Sequence, residues 1–138
     1  MSAFGQESPF TSVLKCRHDS GMANDSLSDL TSQIREFCRA RDWEQFHSPK
    51  ELAVAISVEA SELLQHFVWQ TPQQVEARAE ERRDEIGDEI ADVAILLFEL
   101  ADRMKLNIGD LVTGKLARNN VRYPVEKARG SNLKYNQL

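Results

Sequence analysis

The sequence predicts an all-α fold, a bundle of four helices. Three observations carry that expectation. Apolar residues recur at helical spacing through most of the 138 residues. Ser-Pro and Thr-Pro pairs stand where helices would begin. No alternating strand run and no internal repeat interrupts the pattern.

The elements follow in order. Residues 1–25 mix Gly, Ser, Pro and scattered charge without a period, so they are expected to form a loose tail. Met22 precedes a clean helix start and is a candidate for the true translation start. The first helix is expected from Leu27 to about Arg41, capped by Ser26 or Ser28, with Leu30, Ile34, Phe37 and Cys38 on one face. A polar stretch, Asp42–Lys50, carries Trp43, Phe46 and His47. Ser48-Pro49 then opens a helix to about Val68, because Ser caps and Pro suits the first turn. Thr71-Pro72 opens a third, charged through Ala79–Glu89 and apolar to Met104. Asn107 caps a fourth, from Ile108 to about Asn120. It ends before Pro124, since the residue preceding a proline is pushed out of helical geometry. The domain is therefore expected over residues 26–123, with a polar tail at 124–138.

Composition narrows the function. Acids exceed bases, 22 to 17, for a formal charge of −5. Without a basic stripe, duplex nucleic acid is a poor partner. The longest apolar run, near Val93–Leu100, is far too short to span a membrane. No signal-peptide arrangement opens the chain. Cys16 and Cys38 show no zinc-like spacing, and two unpatterned thiols fit a reducing cytoplasm.

The chemistry lies in acidic pairs. On the second helix Leu52, Ile56, Ala60, Leu63 and Phe67 form an apolar stripe; Glu59 interrupts it and Glu62 lies at its edge. On the third, Ile86, Ile90, Val93, Leu97, Leu100 and Met104 form the stripe, Glu89 falls within its border and Asp92 further round. Within each pair the spacing is i, i+3, which shares a helix face. A carboxylate in a core position costs several kcal/mol, roughly, unless a cation compensates it. Four carboxylates from two helices give an all-oxygen donor set suited to magnesium or manganese. The Glu-x-x-His pattern of di-iron bundles is absent. The alternating run Glu80–Glu85 reads instead as a solvated face with i, i+4 pairs.

Aromatic and basic residues complete the set. Trp43, Phe46, His47 and Trp69 are suited to sandwiching a nucleobase and reading its polar edge. His66 reads as a packing histidine and Cys38 as a small core residue. Lys115, Arg118, Asn119, Arg122 and Lys127 gather at and after the fourth helix, where cations also suit the helix dipole. They are suited to neutralising phosphate oxygens. Neither Gly-rich phosphate loop motif is present.

The ordered set Glu59-Ala-Ser-Glu62, Trp69, Asp88-Glu89-Ile-Ala-Asp92-Val93, then Lys115, Asn119 and Arg122-Tyr123-Pro124 resembles the MazG-like all-α nucleotide pyrophosphatases. Arg41-Asp42-Trp43-Glu44-Gln45-Phe46-His47 and the ending Tyr123–Gly130 with Lys134-Tyr135 are most similar to their dCTP pyrophosphatase branch. The resemblance covers about residues 27–135. It implies that Glu59, Glu62, Glu89 and Asp92 hold magnesium, with manganese a substitute. It implies that Trp43, Phe46, His47 and Trp69 line the base pocket, and that Lys115 and Asn119 contact phosphate or sugar. A homo-oligomer, dimer or tetramer, is implied as well, and the apolar surface of Ala91–Leu100 agrees with burial on several sides. The chain departs from the family pattern at Val58, where an acid usually stands, and at Leu96, where many members carry tyrosine.

The expected reaction is hydrolysis of a nucleoside triphosphate, dCTP or a related pyrimidine, to the monophosphate and pyrophosphate. Glu62 is the expected catalytic acid-base group, positioning or deprotonating the attacking water. Two alternatives remain: a hydrolase of another or noncanonical triphosphate, and a non-catalytic nucleotide-binding helical oligomer.

Overall fold

The computed structural model describes residues 26–137, and the loose-tail expectation for residues 1–25, with Cys16, His18 and Met22, lies outside them. The described residues form α1 (Leu27–Arg39), a 3-10 turn (Trp43–Gln45), α2 (Pro49–Gln65), α3 (Pro72–Glu81), α4 (Arg83–Arg103), α5 (Ile108–Arg122) and a short α6 (Val125–Ala128). No strand occurs among them. None of these helices is long and apolar enough to cross a membrane.

The expected start signals act as caps. The Ser26, Ser48 and Asn107 side chains accept from the backbone N–H of Asp29, Glu51 and Asp110. Thr71 and Gln74 form a reciprocal capping box at α3. The helix ends are less regular. Trp69 and Lys105 reverse the chain after α2 and α4 with φ of 63° and 58°, conformations that L-residues adopt only at a cost.

The third expected helix is divided. The chain breaks at Arg82 (φ −114°, ψ 30°), so α3 is a connecting helix and α4 carries the apolar half. The physical reason lies in residues 76–85. Their only apolar members are Ala77 and Ala79, so no stripe holds the two halves on one line. The break changes the chain direction between α3 and α4, which stay in contact.

α4 is the centre of the fold. It packs chiefly against α2, then against α1, with lesser contacts to α3 and α5. Cys38, Leu52, Ile86, Leu96 and Ala101 are the buried apolar residues among those described. The expected stripe on α4 is therefore corrected. Ile90, Leu97 and Met104 are exposed in the single chain, and burial follows Ile86, Leu96 and Glu99 instead. This inner line passes through Glu89 and Asp92, both half-buried.

An ion pair fixes α1 on α4. Arg35 donates to both carboxylate oxygens of Asp102, at 2.9 and 2.5 Å. This hydrogen bond holds the Asp102 carboxyl below its usual pKa. A lowered folded-state pKa means that the contribution is present above the unfolded value and lost as pH falls through the folded one. Thermal melts of Asp102→Asn should therefore show a lower Tm than the parent at pH 7. That gap should close as pH drops below the ordinary 3.8. A gap that persists unchanged in acid would show that charge pairing is not its source.

Candidate active site: an acidic cleft between α2 and α4

The α2–α4 contact brings the carboxylates together. Glu59 comes from the second half of α2; Glu89 and Asp92 come from the first half of α4. One oxygen from each lies within 4.8 Å of the others. Glu59 is only 3% exposed. Glu62 lies one turn along α2, outside this tight group. It is close enough for its charge to act on both Glu89 and Asp92.

The electrostatics are those of crowded anions. Burial is the first cause raising the pKa of both Glu89 and Asp92. The neighbouring charges of Glu62 and Asp92 push Glu89 further up, and those of Asp88 and Glu62 do the same to Asp92. Crowding like charges in a partly dry site is unfavourable unless cations offset it. The donor set is all oxygen, so the residues present fit a hard divalent cation.

A cleft of about 620 Å³ opens beside the cluster. It is lined by Glu62, Gln65, His66, Arg78, Arg82 and Glu89. Arg78 and Arg82 are functional candidates that sequence reasoning missed. In a run of alternating charge they look like solvated partners, and Arg82 does pair with Glu85 at 2.8 Å. The signal was the chain break: with the helix interrupted at Arg82, two guanidinium groups line the acidic cleft. His66, expected to pack, stacks edge-on with Phe67 (6.5 Å between ring centres) and also lines the cleft.

The other expected residues are more dispersed. Trp43 and His47 meet as tilted rings 6.0 Å apart, and Phe37 stands edge-on to Trp43 at 5.7 Å. Phe46 is exposed. Trp69 is 96% exposed and makes no ring contact among the described residues. Lys115 borders an apolar groove of about 440 Å³ between α4 and α5, with Leu97, Leu100, Met104, Leu111, Val112 and Leu116. Asn119 is half-buried on α5. Arg122 lies over the Tyr135 ring at 5.1 Å. None of the α5 cations lines the acidic cleft within the described chain.

A family model described as the MazG-like family matches residues 54–138, which include all four acids and α3–α5. The chain is 37% identical over 118 residues to human dCTP pyrophosphatase 1, covering 82% of this chain and 68% of that protein. It is 36% identical over 115 residues to the bovine dCTP pyrophosphatase 1, with the same coverage. Among solved structures, a pyrophosphatase from Archaeoglobus fulgidus superposes with a TM-score of 0.69 at 36% identity, over 77% of this chain and 99% of that one.

Proposed function

The chain belongs to the MazG-like family, and from that premise we propose that it is a divalent-cation-dependent nucleotide diphosphatase acting on dCTP or a related pyrimidine triphosphate. The observation that carries this reading is the convergence of Glu59, Glu89 and Asp92 between α2 and α4. The names of the relatives point to dCTP. The catalytic unit is residues 26–123, and its role is cleaning of the nucleotide pool.

Glu59, Glu89 and Asp92, with Glu62 at the rim, would hold magnesium, with manganese a substitute. A bound ion would neutralise charge on the phosphates and lower the pKa of a water. The chain's own residues do the rest. Glu62 borders the cleft, where its carboxylate orients the attacking water and accepts its proton. The water oxygen bonds to the α-phosphorus, the bond from that phosphorus to the bridging oxygen breaks, and pyrophosphate leaves. Trp43 and Trp69 offer faces for the base. His47 Nδ1 is engaged with Glu99 at 2.6 Å, so a base contact by His47 runs through Nε2.

Arg78 and Arg82 take the phosphate role nearest the acids, because they line the same cleft. Lys115 and Asn119 lie on α5, away from that cleft, and reach substrate when a second copy contributes its helix. The apolar α4–α5 groove supports such a homo-oligomer: Leu97, Met104, Leu111, Val112 and Leu116 are all exposed in the single chain.

Phosphate products from dCTP, CTP, dUTP and dTTP, with and without magnesium, test the function. Pyrophosphate should appear only with the metal and with the highest kcat/KM on dCTP. A higher value on another triphosphate would move the substrate assignment. Tight nucleotide binding without any product would favour the silent oligomer. In the same assay, Arg78→Ala combined with Arg82→Ala should raise KM by about tenfold or more, as expected for losing charge-assisted phosphate bonds of roughly 1.5–3 kcal/mol. An unchanged KM would remove both arginines from the substrate site.

A further inference from the structure

A second group of ligand-bearing side chains converges outside the acidic cleft. Cys38 comes from α1, His47 from the segment after the 3-10 turn, and Glu99 from α4. One donor atom from each lies within 4.8 Å of the others. Cys38 and Glu99 are 3% and 5% exposed. The His47 side chain retains 13%, which makes it the outermost of the three. His47 Nδ1 meets Glu99 Oε1 at 2.6 Å, while Glu99 Oε2 is buried and has no hydrogen-bond partner among the described residues. Buried carboxylate oxygens are normally satisfied, and one that is not calls for a ligand.

We propose that Cys38, His47 and Glu99 form a second cation site, selective for a thiophilic divalent ion of the zinc type. A sulfur–nitrogen–oxygen donor set suits zinc and does not suit magnesium. A thiolate and a carboxylate neutralise a doubly charged ion, and the imidazole binds as a neutral ligand. Burial, then the facing Glu99 charge, pushes the Cys38 thiol up to about 12. On binding, the S–H bond breaks, the proton leaves to solvent, and a metal–sulfur bond forms.

The geometry also selects the carboxylate atom. Two ligands at ~2.0 Å from one tetrahedral ion stand about 3.3 Å apart. Nδ1 and Oε1 at 2.6 Å are too close for both to bind. Oε2, the unpartnered oxygen, is the ligand, and the carboxylate turns to present it. Such a site cross-links α1, the Trp43 turn and α4. It depends on none of the residues in the acidic cleft.

Cobalt is the probe, titrated into metal-stripped full-length protein in a Cys16→Ser background that leaves Cys38 as the one thiol of the chain. The expected result is a near-ultraviolet thiolate-to-cobalt band with intense visible bands of tetrahedral cobalt. Both should saturate at one equivalent and disappear on adding zinc. Cys38→Ala should abolish the near-ultraviolet band, and Glu99→Gln should weaken zinc affinity by about tenfold or more. Glu59→Gln should leave the spectrum unchanged, which separates this site from the acidic cleft. Absence of the band in the Cys16→Ser protein overturns the proposal. So does a band that survives Cys38→Ala, or an unchanged zinc affinity in Glu99→Gln.

Discussion

Glu59→Gln should lower pyrophosphate release from dCTP by at least about a hundredfold while the helical circular-dichroism signal is retained; loss of an outer-shell partner of a metal ligand already costs about 10–100-fold, and a direct ligand should cost no less. The substitution separates packing from charge. Glu59 is 3% exposed, and glutamine has nearly its shape, so packing between α2 and α4 is preserved. What disappears is one anionic oxygen of the group formed with Glu89 and Asp92. Asp92→Asn should behave in the same way from the opposite helix. Normal turnover in both variants would refute the ligand assignment, because no rearrangement of the remaining acids restores the lost charge.

Leu96→Ala should strongly lower stability. Leu96 is 1% exposed and stands one turn after Asp92 on the inner line of α4. Removing a fully buried leucine side chain costs about 2–5 kcal/mol, a large share of the roughly 5–15 kcal/mol that holds a domain together. Urea unfolding should show the loss as a lower midpoint at constant slope. Because Leu96 lies between Asp92 and Glu99, loosening α4 there should also reduce turnover in the still-folded fraction. A loss below about 1 kcal/mol would mean that this face of α4 is not packed against the core.

The helix starts were legible because they are local chemistry. Ser26, Ser48, Thr71 and Asn107 cap helices with their own side chains, and each capping bond spans three residues. The acidic cluster was legible because Glu59 and Glu89 interrupt apolar spacing. The split at Arg82 was not, since charged sequence such as 76–85 forms a helix readily and gives no sign of where tertiary contact bends it. The inner face of α4 was misjudged for a related reason. Both sides of that helix are apolar, and periodicity alone does not say which side faces α2 and which stays exposed in the single chain. Glu99 went unnoticed although it is the one charged residue within Val93–Leu100. Arg78 and Arg82 needed the bend before their position had meaning.

The central claim is that acids of α2 and α4 share a divalent cation in the nucleotide site. The most direct measurement is anomalous diffraction from crystals grown with manganese and a non-hydrolysable dCTP analogue. The account predicts a manganese peak within bonding distance of Glu59, Glu89 and Asp92, with the triphosphate running toward Arg78 and Arg82. Manganese held only by the nucleotide, remote from those three carboxylates, would contradict it.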